Sequence, residues 1–404
     1  MKTRPLAIAC LTALVLAGCG ESSSQRQGSQ FGTPEPGPET DFNQNLLLQS
    51  LVDNALIPTY SNVVQASETA LARVTAYCEG EIEQNASRDE SKEQAREGWR
   101  HLMDSWQQAE MMQIGPLLDN SGSLRNRIYS WPNTSGCAVD QDVMLSRQDG
   151  YSIDSRTNSR RGLDALEYLL FNDNLNHSCT QAGTAPVGWD GLTEAERRVA
   201  RCEYAILVSE DIRSNAQVLL DAWQGDAGYG SVLRDAGLPG SAFATAHEAV
   251  NDVSDALFYL TEVTKDAKLA TPLGILLNDC GVVPCAANVE SPWAGHSLQN
   301  IHNNLLGFRR LLQGGDDADS AVGFDDYLLD VGDADTASRL HQDLALAMEL
   351  TLAFGGTLAE ALEQNPEQVR ELHGQVKAVT DTLKADFINS LALELPATSA
   401  GDND

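Results

Sequence analysis

Apolar residues that return every three or four positions, in stretch after stretch, restrict this chain more than any other feature. Phe243, Ala246, Val250, Val253, Leu257, Leu260 and Thr264 step in this way. So do Leu340, Leu344, Ala347, Thr351, Phe354 and Leu358, and again Val369, Leu372, Val376, Val379 and Leu383. That spacing lays a stripe along one face of a helix, and Pro366, just before the third set, suits a first helical turn, where no N–H is needed. Similar patterns run near 43–79, bent at Pro58, and near 89–112, 157–172 and 193–224, whereas strand-like alternation is nearly absent. The expected fold is therefore all-α, with amphipathic helices that bury their stripes against one another in bundles. Breaks rich in Gly and Asp fall at "QGDAGYG", 224–230, and "QGGDDADS", 313–320. The first divides the chain into a helical bundle over 42–224 and a second over 225–395, with 396–404 a disordered tail.

The first residues read as an address. Lys2 and Arg4 precede an apolar run, Leu6 to Leu16, too short to span a bilayer, and "LAGC" ends it at Cys19. This looks like a bacterial lipoprotein signal: a leader over 1–18, a lipidated Cys19, and a flexible tether over 19–41 rich in Ser, Gln, Gly and Pro. The expected location is the periplasmic face of the cell envelope, held to a membrane by lipid, and Gly20 in place of Asp favours the outer membrane. Formal net charge is −31. Such acidity excludes nucleic acid as a partner and inclines the surface toward cations, although solubility accounts for most of it.

Cysteine usage agrees with export. Cys78, Cys137, Cys179, Cys202, Cys280 and Cys285 are an even set in an oxidising compartment. "CGVVPC" closes a short Cys280–Cys285 loop, and the others fall into Cys78 with Cys137 and Cys179 with Cys202. None of the spacings is a zinc knuckle. Asp316, Asp317, Asp319, Asp325 and Asp326 lack the Gly and Glu spacing of a calcium loop and read as an acidic surface loop. "HEAVN", 247–251, begins like a zinc-protease motif but ends in Asn, so His247 reads as a partly buried bundle histidine. His296 and His302 are six apart and cannot grip one metal as an i, i+4 pair would.

"SWQQAEMMQIGPLL" (105–118), "RIYSWP" (127–132), "RRGLDALEYLLF" (160–171), "KLATPLG" (268–274) and "ESPWAGHSLQNIHNNLLGFRRLLQGG" (290–315) resemble, in order, the landmarks of the imelysin family. The resemblance implies a pair of four-helix bundles with a shared pocket between them. Members include proteins once assigned as metallopeptidases and others linked to iron uptake. Gly162 and Glu167 match the Gly-x-His-x-x-Glu motif, but Asp164 stands where the family has histidine. Oxygen ligands favour hard cations such as ferric iron, calcium or manganese, so zinc chemistry is disfavoured and cation binding retained.

On a helix, Arg160, Asp164, Glu167 and Phe171 share a stripe. Two carboxylates one turn apart in a dry pocket need a proton, a cationic partner or a metal. The residues alone allow either an Arg160–Asp164 salt bridge or a cation site at Asp164 and Glu167; the resemblance favours the site. It also implies Trp131 and Pro132 as pocket wall, Arg127 as a cationic partner, and Glu290, Ser291 and Ser297 as pocket lining, with helix capping the other reading for Glu290. No catalytic residue is assigned. The expectation is a ligand-binding envelope lipoprotein in iron uptake or homeostasis, taking iron, another cation or haem and meeting an iron-uptake partner protein. A metal-dependent peptidase and a metal-free peptide or cell-wall recognition module are the alternatives.

Overall fold

The computed structural model describes residues 40–180, 184–317 and 320–396. They form helices joined by turns, and no strand longer than the single Asn278–Gly281 bridge occurs among them. The leader, the lipidation expected at Cys19, nearly all of the tether and tail, and Asp319 lie outside the described residues.

The first long rod is Gln44–Ser50, a π-helical stretch Leu51–Leu56 and Ile57–Glu83. Pro58 opens the last of these. It has no N–H and would clash with the carbonyl four residues back, and the widened turn before it absorbs the misfit. The rod packs along Arg88–Glu110 and Glu194–Trp223, and the shorter Gly162–Phe171 lies against both of those helices. Thr193 and Glu196 form a reciprocal cap that starts Glu194–Trp223 sharply.

The second half is built from Ser297–Leu312, Ala334–Leu352, Pro366–Thr382 and a π-helical stretch Leu260–Ala270, which pack on one another. The expected run through Phe354 and Leu358 is broken: Ala334–Leu352 stops short of Gly355 and Gly356, and Thr357 caps a new helix, Leu358–Gln364. The halves meet where Ser297–Leu312 crosses Arg88–Glu110. Gly307 permits the crossing, because a Cβ there would stand 2.5 Å from the Gln108 carbonyl oxygen. One buried apolar cluster, including Trp99, Trp106, Leu305 and Phe308, runs through both halves.

Two expected disulfides are re-paired. Cys78 joins Cys202, stapling Ile57–Glu83 to Glu194–Trp223, and Cys137 joins Cys179; Cys280–Cys285 is as expected. Chain proximity favoured the other pairing, but antiparallel packing brings residues 124 apart into contact. The acidic loop is engaged by protein groups: Asp316 pairs with Arg310, Asp325 with His341, and Asp326 accepts the Gly323 N–H. His247 is partly buried, with Nε2 3.0 Å from the Ala392 carbonyl oxygen. No helix among the described residues is long and apolar enough to cross a membrane.

Candidate functional site

The helix carrying Asp164 and Glu167 starts later than its sequence pattern suggests. Asn158–Arg160 is a 3-10 turn, Arg161 is extended, and Gly162 begins the helix at φ +80°. A Cβ on Gly162 would lie 2.7 Å from the Ile128 carbonyl oxygen, so both the backbone angle and the contact demand glycine. Arg160 therefore leaves the stripe. Its guanidinium reaches Asp142 at 2.8 Å and the Ala138 carbonyl at 3.2 Å, which overturns the Arg160–Asp164 salt bridge.

From Gly162 to Leu170 every residue is buried, with Asp164 3 % and Glu167 2 % exposed. The two carboxylates reach different elements. Asp164 Oδ2 accepts the Ser130 N–H at 2.9 Å and its hydroxyl at 3.3 Å. Glu167 Oε1 accepts the N–H groups of Trp293 at 3.0 Å and Ala294 at 2.9 Å, tying the first half to a loop of the second. Beside them lies a second layer. Lys268 Nζ donates to Gln107 Oε1 (2.5 Å), Glu110 Oε2 (2.7 Å) and Asn304 Oδ1 (2.8 Å), and sits 3.1 Å from Glu290 Oε1. Glu290 Oε1 also accepts from Tyr129 and from Gln107 Nε2 at 3.1 Å. Asp164, Glu167, Glu290 and Glu110 are each no more than 3 % exposed; Glu110 and Glu290 flank the ammonium of Lys268, and Asp164 and Glu167 lie in electrostatic range of Glu290 without a bond to that lysine.

Dry surroundings favour protonated acids. Burial, with Glu290 and Glu110 adding repulsion against the Ser130 hydrogen bonds, pushes the Asp164 carboxyl up to about 7. Burial lifts Glu167 well above the usual range despite its two backbone donors, with Asp164 adding to the shift. Glu290 is raised by burial and by Glu110, against Lys268 and Tyr129. Burial and the nearby carboxylates keep Tyr129 a phenol, able to donate its proton. Among the described residues, Glu290 Oε2 and Asn300 Oδ1 are buried without a hydrogen-bond partner, so this polar layer still has accepting capacity.

Of the residues chosen from sequence, Asp164, Glu167 and Glu290 come together in this seam, and Glu290 uses its side chain there rather than as a helix cap. Ser291, at φ 48°, accepts from Asn300 at 3.0 Å, and Ser297 donates to the Glu290 carbonyl; both brace the loop rather than reach the carboxylates. Trp131 is half-buried against the core and Pro132 is exposed. Arg127 is also exposed; the cation at the carboxylates is Lys268. Sequence reasoning missed Lys268, Glu110, Gln107, Asn304 and Tyr129. The available signal was a charged residue on an otherwise apolar stretch, as in "KLATPLG".

At 1–3 % exposure, Asp164, Glu167, Glu290 and Glu110 are closed off from solvent. Among the described residues no group of three His, Cys, Asp or Glu side chains converges as a metal site would. One oxygen of each of Asp164, Glu167, Glu290 and Glu110 is taken by an N–H, hydroxyl or ammonium donor, and no three of these side chains converge, so this closed arrangement does not fit a resident metal cofactor.

An all-helical protein in two halves, locked by a buried acid–lysine seam, is the class that fold and site define. A family model described as imelysin (peptidase M75) matches residues 56–385, and the chain belongs to the imelysin family. It is 26 % identical over 350 residues to iron-regulated protein A of Synechococcus elongatus, covering 85 % of this chain and 86 % of that one. Two solved structures share the fold. One, from Parabacteroides distasonis, is assigned as an iron-regulated protein A precursor (TM-score 0.67, 17 % identity, 89 % of this chain and 98 % of that one). The other is an imelysin-like protein from Psychrobacter arcticum (TM-score 0.66, 18 % identity, 88 % and 98 %).

Proposed function

We propose that this imelysin is a lipid-anchored envelope protein of iron uptake or homeostasis that takes a hard cation, ferric iron foremost, as cargo at the seam between its halves. The observation that carries the reading is the excess of buried carboxylates over buried ammonium around Asp164, Glu167, Glu290, Glu110 and Lys268. In the closed form, protons held by acids with raised affinity offset that excess. A cation brought against the same oxygens displaces those protons, so loading releases acid and strengthens as pH rises. Entry requires the Glu167 bonds to Trp293 and Ala294 to open, which places the moving part in the loop that begins at Glu290. The name of the Synechococcus relative supports iron among hard cations.

The test is calorimetric titration of untagged protein with ferric citrate, manganese and calcium, comparing wild type with the Asp164→Asn, Glu167→Gln double variant. Tighter ferric binding by wild type, lost in the variant, is the expected result. Equal binding by both proteins, or by neither, sinks the assignment, and a haem Soret band on protein purified from the envelope would move the cargo from iron to haem.

A further inference from the structure

Between the segments that carry Lys268 and Glu290, the chain makes a tight knuckle, 274–285, with the sequence "GILLNDCGVVPC". Its aliphatic side chains face water: Ile275, Leu276, Leu277, Val282 and Val283 are exposed, Leu277 to 79 % and Val282 to 72 %. Scattered exposed leucines need no explanation, but five on one short loop form a patch, and patches mark contact surfaces.

This loop is held in shape. Cys280 is bonded to Cys285, and Asn278 and Gly281 exchange backbone hydrogen bonds at 2.9 and 3.0 Å. Gly274, at φ +74°, lets the two arms touch, since a Cβ there would be 2.4 Å from the Val283 nitrogen. Asn278 Nδ2 caps the Thr271 and Val283 carbonyls, its Oδ1 accepts the Cys280 N–H, and the Cys285 N–H donates to the Pro272 carbonyl. The knuckle therefore satisfies many of its own backbone N–H groups, which lowers the cost of entering an apolar phase. Asp279 is the loop's charged residue, in a chain that is 21 % charged, and Asn288 engages it at 3.1 Å.

We propose that this knuckle is a membrane-contact element whose aliphatic tip dips into the lipid bilayer. The inference rests on the lipid-anchored part of the reading above. On that reading, a lipid at Cys19 would hold the body at the membrane surface and so raise the local concentration of the tip there. A protein partner would be met by aromatic and Arg anchors inside a polar rim, and the tip offers aliphatic side chains and little charge. The acidic body selects against anionic lipid, so the surface it fits is a neutral one.

The test uses the full chain on vesicles of phosphatidylcholine and phosphatidylethanolamine with brominated acyl chains. Leu277→Trp places a reporter at the tip, and Leu352→Trp places one at an aliphatic position elsewhere that is 70 % exposed. The tip reporter is expected to shift to the blue and lose emission, the other to do neither, with a smaller response at the tip when phosphatidylglycerol is added. An unquenched Leu277→Trp, equal quenching at both positions, or a shift that follows protein concentration without vesicles overturns the proposal, the last by pointing to a second copy of the chain. Mass analysis of Cys19 reports the anchor separately: an acylated Cys19 with an unquenched tip fails the knuckle alone, and a quenched tip on a chain without acyl groups fails the anchor alone. Ferric titration of the same variants reports the seam independently.

Discussion

Replacing Asp164 by Asn changes one titrating group and little else. The amide carbonyl oxygen can still accept the Ser130 N–H and hydroxyl that Asp164 Oδ2 accepts now. The carboxyl is held at about 7 against an ordinary value of 3.8, so between those values the folded protein binds a proton that the unfolded chain has lost. Stability must then fall as pH rises through that window. At about 1.4 kcal/mol per pH unit, wild type loses on the order of 4 kcal/mol on this account between roughly pH 4 and pH 7. The amide cannot ionise, so the Asp164→Asn variant escapes the loss. Urea unfolding followed by circular dichroism at half-unit steps from pH 4.5 to 8.5 measures it. The two proteins should be similar at the acid end, with the variant more stable by up to about 4 kcal/mol above pH 7. Parallel curves across the range, or a gap that widens toward acid, would refute the claim that Asp164 is a strained acid in a dry seam.

Lys268→Met should destabilise by about 3–5 kcal/mol, because it strands Glu110 and Glu290 without their ammonium; a thermal melt at pH 7.5 checks it, and the loss should shrink toward acid pH as Glu290, whose carboxyl burial already raises, takes up its proton. Gly162→Ala should cost more than about 1 kcal/mol in urea unfolding, since its Cβ meets the Ile128 carbonyl oxygen and its φ is positive. Non-reducing peptide maps should link Cys78 to Cys202 and Cys137 to Cys179. In the loop-entropy model, removing the first, which closes the longer loop, costs about 5 kcal/mol against about 4 for the second.

Helices are legible where one physical signal dominates. The stretches near 89–112 and 193–224 become Arg88–Glu110 and Glu194–Trp223 because apolar spacing is clear in both, joined in the first by Asp89 and Glu90 in its opening turn and in the second by the Thr193–Glu196 cap. The stretch near 157–172 departs from its pattern at the start. Residues 158–161 can be laid on a helical stripe, but Gly162 takes a left-handed angle so that the chain can pass the Ile128 carbonyl, and that contact is made by tertiary packing. The lost turn carries Arg160 out of the stripe and onto Asp142. Disulfide pairing is hidden for a related reason: order along the chain says little about which helices lie side by side once long antiparallel rods have packed.

The seam shows the same limit more sharply, because its parts were all in view. Gln107 and Glu110 lie in "SWQQAEMMQIGPLL", Tyr129 and Ser130 in "RIYSWP", Asp164 and Glu167 in "RRGLDALEYLLF", Lys268 in "KLATPLG", and Glu290 and Asn304 in the last landmark. Five separate stretches supply one hydrogen-bonded layer. Each stretch alone offers a bland account of its polar residue: a solvated carboxylate, a snorkelling lysine, an amide on a helix surface. Burial removes those accounts together, because a polar or charged group at 3 % exposure or less must find a partner: Lys268, Glu110, Glu290, Gln107 and Asn304 find one another, while Asp164 and Glu167 find the Ser130, Trp293 and Ala294 donors. The landmarks therefore share a physical reason for carrying polar residues on otherwise apolar stretches. Around Lys268, neither Glu110, Glu290 nor the lysine itself can be lost without leaving a charged partner unpaired in a dry interface, so this part of the layer should respond to substitution as a unit, with double variants such as Lys268→Met, Glu110→Gln costing less than the sum of the single changes.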